Sequence, residues 1–375
     1  MRIAQVAPAG LHPYSGIRSV ITQLAVHLAR RGHGVEIWQL HPWTGEEIAI
    51  DRELLTGAGV RLVDGPASMR RRLAALAARD VDLAHLHATF TPSNNLLAGR
   101  LRVPYVISPH GGYAQASLVR HAARKRLYAA LAERRTLRHA ALRTVLTSSE
   151  AESLRAFGVR EPVEVIPNGV GRAPVKVDRN AFRAELGLGA EARLLVYAGR
   201  VDLWHKGLDI LVRGVAEAPQ WHAAIVGPDF RGSREALQHL ADELGLQDRL
   251  VFTGPRRGQR FDEALAAADL FAHTSRWEGL PISLLEGLRI GVPALVSAAV
   301  EQAVGVAAAG AGWVAGPEEV GGLLRALARL ERPAWAIRAN AARKLAGRYD
   351  WEDIAVLYEA AYEGVLRSMR WSGIS

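Results

Sequence analysis

The residues with the clearest chemical potential are two glutamates and two cations in the carboxyl half of the chain. Glu278 and Glu286 stand in HTSRWEGLPISLLEGLRIGVPAL with seven residues between them. Arg200 and Lys206 stand in YAGRVDLWHKGLDIL, after an apolar run that is typical of a buried strand. An arginine can grip diphosphate oxygens with its fork of donors, and a lysine acts on them as a point charge. Together the two segments predict a diphosphate site.

The helix after Glu278 strengthens this prediction. Pro281 suits the first helical position, so we expect the helix to begin near Ile282 and to hold Glu286 about one turn inside. The unpaired N–H groups and positive dipole of a helix start are a ready seat for a phosphate. Each motif also has an explanation that needs no ligand. Acidic residues near a helix start are favoured by the helix dipole, and a basic loop can simply be solvated. The diphosphate site is therefore predicted from the two motifs together, and from Lys206 being one of only four lysines.

Two weaker motifs lie in the amino half. HPYSGIRSV follows the first predicted strand, and Gly16 would let the backbone approach a pyrophosphate before a helix that begins near Arg18. The motif lacks G-x-G-x-x-G, so a nicotinamide-type site is not supported. YVISPHGG places His110 at the end of a strand, where it can donate to a developing charge, although a lone histidine there is as often structural.

Metal and thiol chemistry are not expected. The chain contains no cysteine, which excludes disulfide scaffolds, zinc fingers, iron–sulfur clusters and thiol nucleophiles. Asp80 and Asp82 precede a strand and are expected to cap it rather than to hold a metal. His85 and His87 share a strand face, but no third ligand lies nearby in the sequence. We predict no metal and no other cofactor.

The elements that must position these residues alternate between short apolar runs and longer amphipathic stretches. This rhythm predicts parallel sheets covered by helices, and it restarts after the turn-rich segment VEVIPNGVGRAPVKV. A length of 375 residues suits two domains. We expect an α/β protein with residues 1–168 in the first domain, joined by 355–375 of a terminal helix, and 169–354 in the second. Ligands would then bind beyond the strand ends, in a cleft between the domains.

The charge of the chain is very uneven. Residues 1–170 hold 22 Arg and Lys against 13 Asp and Glu, so the whole excess of +9 lies there. Residues 117–143 carry eight of these cations and one glutamate, which predicts a helix with a cationic face for an anionic membrane surface or merely a solvated face. No nucleic-acid partner is expected.

The amino terminus lacks a signal-peptide core, so we expect a cytoplasmic protein, with peripheral attachment to the inner face of the membrane as an option.

In order and spacing, these motifs resemble those of the retaining GT-B glycosyltransferases, the group 1 or family 4 type with the Glu-x7-Glu motif. The resemblance covers nearly the whole chain, and it is carried by SGIRSV, DLAHLHA, SPHGG, TSSEAE, VIPNGV, YAGRVDLWHKGLDIL, IVGP, VFTGP and the Glu-x7-Glu block. It implies two Rossmann-like domains, with the acceptor site mainly in the first and the donor site mainly in the second. It also implies a terminal helix that crosses back.

The family assigns roles to individual residues of this chain. His110, Arg200, Lys206 and Glu278 would be the catalytic set, with the cations neutralising the diphosphate and Glu278 binding sugar hydroxyls. The implied donor-binding residues are Gly16, Asn168, Arg200, Lys206, Arg256, Glu278, Gly279, Leu280, Pro281, Ile282, Ser283 and Glu286, the last on the ribose.

The activity implied is metal-independent transfer of a hexosyl unit, with retention, from a nucleoside-diphosphate sugar. UDP or GDP is the expected nucleotide, and the acceptor is a glycan, a lipid-linked glycan or a small molecule. Fixed cations and helix amides stabilise a leaving diphosphate without paired carboxylates. Two alternatives stay open at this point. One is a sugar-nucleotide epimerase of the same architecture, and the other is a non-catalytic protein that binds anionic surfaces.

The sequence also departs from the family. Ser15 and Gly16 stand where two glycines are common, and AAVEQAVGVAAAGAGW replaces a glycine-rich loop after PALVSA. Trp204 and Trp277 flank the motifs, where either could line the pocket, but we expect them to pack in the core.

Overall fold

The computed structural model describes residues 1–8, 14–41, 43, 48–64, 68–113, 128–159, 162–174 and 176–371. The chain divides into two compact units. The first comprises Met1–Gly169 together with Trp351–Ser375, and the second comprises Val170–Asp350.

The first unit is built on a parallel sheet. In the described residues its strands are β1 (Arg2–Ala7), β2 (Gly34–Gln39), β3 (Arg61–Asp64), β4 (Leu83–His87), β5 (Tyr105–Ser108), β6 (Leu142–Val145) and β7 (Val163–Val165), in the spatial order β3-β2-β1-β4-β5-β6-β7. Its helices are α1 (Gly16–Arg30), α2 (Ile48–Gly57), α3 (Met69–Ala77), α4 (Pro92–Ala98), α5 (Arg134–His139) and α6 (Ser148–Ala156), with a π-helical turn at Ala129–Glu133.

The second unit repeats this design. Its strands are β8 (Arg193–Ala198), β9 (Trp221–Val226), β10 (Leu250–Gly254), β11 (Leu270–His273), β12 (Ala294–Ser297) and β13 (Gly312–Ala315), in the order β10-β9-β8-β11-β12-β13. Its helices are α7 (Arg179–Glu185), α8 (Leu208–Ala216), α9 (Ser233–Glu243), α10 (Gly258–Ala267), α11 (Ile282–Ile290), α12 (Ala303–Ala309), α13 (Val320–Leu327) and α14 (Arg332–Ala346).

The packing follows from the sequence pattern. Ile3, Ala4 and Val6 of β1 are all fully buried, so both faces of the strand are covered, as a parallel sheet between helices requires. In α8, Leu208, Leu211 and Val215 recur at three- and four-residue spacing and are buried. Two parallel α/β sheets confirm the fold predicted from the alternation.

The last helix, α15 (Trp351–Trp371), belongs to the first unit, where it packs on α1. The Trp351 ring stacks on His27 with centroids 6.0 Å apart. Gly169 lies against the same indole, and a Cβ there would overlap the ring. Further along the helix, Tyr358 and Tyr362 are buried. The terminal helix is therefore an integral part of the first core.

Each sheet has one place where the strand order reverses. In the first sheet this switch point lies between β1 and β4, and in the second it lies between β8 and β11. Open α/β sheets bind ligands beyond the carboxyl ends of the strands at such points, because the connecting loops diverge there and leave a crevice. The switch points are thus where the chemistry-bearing loops are expected.

Candidate functional site

Lys206 and Glu278 meet at the switch point of the second sheet. Lys206 lies in the loop after β8, and Glu278 lies in the loop after β11. The Lys206 Nζ forms an ion pair with Glu278 Oε1, and the two side chains are only 12% and 18% exposed. His273, the last residue of β11, holds the other carboxylate oxygen through its Nε2 at 2.7 Å.

These partners keep Glu278 ionised. Burial by itself would raise the pKa of the Glu278 carboxyl, but the Lys206 ammonium and the His273 hydrogen bond outweigh it and hold the pKa well below its usual value. Burial also lowers the pKa of His273, so this imidazole is neutral at pH 7 and donates its Nε2 proton to the carboxylate. Glu278 is a fixed anion with lone pairs left to accept hydroxyl groups.

The two loops are tied to each other, so the ion pair is held in place. Gly207 has a φ of 60°, and a Cβ there would overlap the carbonyl oxygen of Thr274. The Thr274 hydroxyl donates to that glycine's carbonyl at 3.0 Å. Arg276 donates to both carboxylate oxygens of Asp209 at 2.8 and 2.7 Å, and its backbone N–H bonds the His205 carbonyl at 3.0 Å. The sequence G-L-D after Lys206 therefore serves the geometry of the loop.

Arg200 lies directly after β8, on the same side of the switch point. Its guanidinium carbon lies 4.4 Å from the centroid of the Phe230 ring. The Tyr197 hydroxyl donates to the Arg200 carbonyl at 2.7 Å, which fixes the turn that follows the strand. Burial and the nearby Lys206 lower the pKa of His205 to about 4, so the permanent cations of this loop are Arg200 and Lys206.

The helix predicted to begin near Ile282 does begin there. Pro281 is its N-cap rather than its first helical residue, and the proline side chain makes no capping hydrogen bond. The N–H groups of the first turn are therefore available to a ligand. The backbone of Glu278, which precedes this helix, pairs with the loop after β12, where Glu301 N–H donates to the Glu278 carbonyl at 3.0 Å.

Glu286 lies one turn inside α11 and differs electrostatically from Glu278. Burial raises the pKa of its carboxyl to about 7, against the opposing effect of Arg289. Within the described part of the chain the carboxylate has no hydrogen-bond or ion-pair partner, because Arg289 pairs with Asp262 instead. An unpaired acceptor held near a helix start fits a diol or another pair of hydroxyl groups.

Arg256 is held apart from this arrangement. It follows β10, and its guanidinium pairs with Glu185 of α7, with one contact of 2.9 Å, and covers the Phe182 ring at 4.7 Å. The structure does not bring its guanidinium to the Lys206–Glu278 pair, so its donor-binding role stays a prediction.

The three predicted residues of the first unit belong to different segments. Gly16 opens α1, two residues earlier than expected, after the N-cap Ser15. Asn168 is buried in the segment after β7. His110 lies after β5 with a φ of 52°, in the left-handed region, and its Nε2 lies 2.8 Å from Nδ1 of His87.

Two family models match the chain. The model described as glycosyl transferases group 1 matches residues 178–346, and the glycosyl transferase 4-like domain matches residues 15–169. The two matches fall one on each unit and together span most of the sequence. The chain belongs to the group 1 glycosyltransferases.

Curated relatives share this assignment over much of their length. The D-inositol 3-phosphate glycosyltransferase of Mycobacterium avium is 27% identical over 392 aligned positions, which cover 96% of this chain and 92% of that protein. The protein of the same name from Mycolicibacterium gilvum is 28% identical over 320 positions, covering 78% and 72%.

Solved structures show the same fold. HepE of Anabaena in complex with UDP and glucose superposes with a TM-score of 0.78 at 20% identity, covering 97% of this chain and 100% of that one. Sucrose-phosphate synthase from Thermosynechococcus elongatus gives a TM-score of 0.79 at 20% identity, covering 98% and 100%. The fold of this glycosyltransferase is GT-B, as the motifs predicted.

The basic helix predicted over residues 117–143 is wrong at its carboxyl end. Residues 114–127 lie outside the described part, but α5 ends at His139 and β6 begins at Leu142. Arg143 is therefore a strand residue, and it is fully buried, with its Nη2 on the Arg138 carbonyl at 2.6 Å. Glu133 is also buried, and burial raises the pKa of its carboxyl to about 7. The boundary was misplaced because the spacing of arginines does not show whether each one is exposed. An arginine on a cationic helix surface and an arginine that donates to buried carbonyl groups look the same in the sequence.

Two other predictions concern the surroundings of the site. Trp204 is 49% exposed and contacts Trp277 edge to face at 5.0 Å, so the expected core packing of Trp204 is wrong. Asp80 and Asp82 both pair with Arg2. Over the residues that the structure describes, no group of three or more His, Asp or Glu side chains is arranged to hold a metal ion. None of the described helices is both long and apolar enough to cross a bilayer.

Sequence reasoning missed His273, which orients Glu278. Its only signal is a histidine at the end of an apolar strand, five residues before the glutamate. The strand register that aims it at the carboxylate cannot be read from the sequence.

Proposed function

We propose that this glycosyltransferase transfers a hexosyl unit, with retention of the anomeric configuration and without a metal, from UDP- or GDP-sugar to an acceptor hydroxyl in glycan or glycoconjugate synthesis. The second unit, Val170–Asp350, holds the donor, and the first unit holds the acceptor.

The observation that carries this proposal is the Lys206–Glu278 pair at the switch point of the second sheet, beside the uncapped start of α11. A lysine ammonium has three donors, and Glu278 occupies one of them. The remaining donors and the first-turn amides are suited to diphosphate oxygens, and Arg200 adds a second permanent cation. Such fixed charges stabilise a leaving anion without reorganising, which is why they lower the barrier.

The proposed transfer takes place between the donor and the acceptor, without a covalent intermediate on the protein. The bond from the anomeric carbon to the diphosphate oxygen breaks, and its electron pair leaves with the diphosphate. The acceptor oxygen bonds to the same face of the anomeric carbon, and its proton passes to the departing phosphate oxygen. No side-chain nucleophile is needed. Glu278 orients the sugar by accepting hydroxyl protons, and Glu286 does the same for the ribose.

The named relatives support the donor class. One solved neighbour is a complex with UDP and glucose and another is a complex with UDP-glucose, and the curated relatives are D-inositol 3-phosphate glycosyltransferases. For this chain the acceptor is a glycan, a lipid-linked glycan or a small molecule. Attachment to an anionic membrane stays a prediction, since residues 117–127, with four of the eight cations of the basic segment, lie outside the described residues.

The decisive experiment replaces Lys206 by methionine, which keeps the length of the side chain and removes its charge. A thermal-shift panel of nucleoside diphosphates and their sugars first identifies the donor of the wild type. We expect Lys206→Met to lower kcat by about 10²- to 10³-fold, the usual loss of one transition-state donor. Lys344→Met is the matched control, because Lys344 is an exposed lysine of the same unit.

Each element of the proposal has its own contradicting result. If the kcat of Lys206→Met lies within about threefold of the control, Lys206 does not stabilise the leaving diphosphate. If EDTA abolishes activity and a divalent cation restores it, the reaction depends on a metal. If the anomeric proton coupling of the product shows the inverted configuration, the reaction does not proceed with retention. Release of an epimerised sugar without acceptor would favour the epimerase instead.

A further inference from the structure

A continuous chain of hydrogen bonds runs through the core of the first unit and ends at His110. It joins residues of three neighbouring strands to the terminal helix α15, and its members are buried except for His110, which is partly exposed. They are Gln5 of β1, His85 and His87 of β4, Ser108 of β5, His110 and Tyr362.

The contacts at the His110 end are short. His110 Nε2 lies 2.8 Å from Nδ1 of His87, and the two rings are within 15° of parallel. His87 Nε2 lies 2.7 Å from the side-chain oxygen of Gln5. On the far side, the Gln5 amide nitrogen donates to the Tyr362 hydroxyl at 3.3 Å.

With the Gln5 amide oxygen facing His87, this order of atoms sets where the protons lie. An amide oxygen only accepts, so His87 must carry its proton on Nε2. Burial lowers the pKa of His87 well below its ordinary value, so the ring is neutral and its Nδ1 is bare. A bare Nδ1 can only accept, so His110 must donate from Nε2. Since burial lowers the pKa of His110 to about 4, it is also neutral and its own Nδ1 is bare.

Tyr362 continues the chain from the glutamine amide to His85. Its hydroxyl accepts from Gln5 and donates to Nδ1 of His85 at 2.7 Å, and His85 Nε2 then donates to the Ser108 hydroxyl at 2.7 Å. Rotating the amide by half a turn would reverse every bond and place the His110 proton on Nδ1. The direction of the whole chain is therefore one variable, which a measurement can decide.

The His110 ring is also held by its backbone. Its φ of 52° places it in the left-handed region, which is costly for a residue with a Cβ. The carboxylate of Glu150 stabilises this turn, because it accepts the Gly111 N–H at 2.7 Å and the Leu146 N–H at 3.1 Å. The ring is thus fixed in position as well as in protonation.

We propose that Gln5 and His87, anchored on the terminal helix by Tyr362, are positioning residues that hold His110 in the Nε2–H tautomer. His110 then presents a hydrogen-bond acceptor through Nδ1, which has no partner among the described residues. An acceptor suits a substrate hydroxyl and repels a phosphate or carboxylate oxygen. The identity of that hydroxyl, on a sugar or on an acceptor, rests on the proposed function. The tautomer of His110 does not depend on the proposed function.

The test is ¹⁵N NMR of the full chain labelled at the histidine rings, with the His110 signals assigned by their absence from His110→Asn. Bare and protonated ring nitrogens differ widely in chemical shift, so each tautomer has its own signature. We expect His110 of the wild type to show a protonated Nε2 and a bare Nδ1. A protonated Nδ1 in the wild type overturns the proposal without any variant.

Two variants test the positioning role. Gln5→Met removes the acceptor for His87, and Tyr362→Phe removes the anchor of the amide. In both variants we expect the ¹⁵N chemical shifts of the two His110 ring nitrogens to move toward each other, because the second tautomer becomes populated. We also expect kcat to fall about three- to tenfold, with the Kd of the nucleoside diphosphate unchanged. Gln247→Met, at an exposed glutamine of the second unit, is the control. Unchanged His110 shifts in a folded Gln5→Met overturn the proposal.

Failure of the proposed function gives a different pattern. If the wild type transfers no sugar from any nucleoside-diphosphate donor, the function fails while the tautomer result stands.

Discussion

The carboxyl of Glu286 makes the second unit less stable at neutral and alkaline pH than it could be. Its pKa is raised by burial from 4.5 to about 7, so the folded state favours the protonated acid. The penalty of ionising it is absent below the unfolded pKa near 4.5, grows as pH rises between the two values, and is complete above pH 7. Glu286→Gln removes the penalty while keeping the shape of the side chain.

The magnitude follows from the shift. At roughly 1.4 kcal/mol per pKa unit the upper bound is about 3 kcal/mol, and partial exposure of the side chain reduces this to about 2 kcal/mol. For a unit of this size, such a gain in the free energy of unfolding raises Tm by about 4 to 8 °C. We expect this rise at pH 8 and almost none at pH 4.5.

The assay is differential scanning calorimetry of the full chain at both pH values. Glu278→Gln is the matched control with the opposite sign, because the pKa of Glu278 is lowered and its ionised form contributes stability above the unfolded pKa. That variant should lower Tm at pH 8. An equal Tm gain for Glu286→Gln at both pH values, or none at pH 8, would refute the electrostatic reasoning. If Glu286→Gln is more stable but binds the nucleotide-sugar donor more weakly, Glu286 serves donor binding at a cost in stability.

Substitutions at three glycines give further tests. Gly207→Ala should destabilise the second unit by about 3 to 4 kcal/mol, because it combines a left-handed φ of 60° with overlap on Thr274, whereas Gly245→Ala at a φ of 68° in open space should cost only about 1 to 2 kcal/mol. Chemical denaturation measures both, and equal costs would contradict the overlap. Gly169→Ala should cost about 1 to 3 kcal/mol and loosen the terminal helix, because a Cβ meets the Trp351 ring. Hydrogen exchange of that helix measures the loosening, and unchanged protection would count against it.

Features that depend on neighbouring residues could be predicted from the sequence. The alternation of strands and helices, the start of α11 at Ile282 and the place of Glu286 within it follow from periodicity and proline geometry. The loops holding Arg200 and Lys206 follow from the strand that precedes them. Local propensity and hydrophobic spacing are enough for these, because they are set within a few residues along the chain.

Features that depend on strand register could not be predicted. His273 and Glu278 face each other only once β11 is placed, and the contact of His87 with His110 requires the pairing of β4 with β5. The burial of Arg143 depends on the carbonyls left unpaired at the end of α5. In each case the partner of a polar group is chosen by the fold.

The sequence by itself therefore determined the family, the two-sheet architecture and which residue types stand at the strand ends, because those are written in local pattern and order. Tertiary structure alone decided the environments that shift the pKa values of the two glutamates, the pairing of Lys206 and the contact of His110 with His87. Those properties depend on desolvation and on hydrogen-bond partners, many of them distant in sequence, which exist only after the sheets have formed.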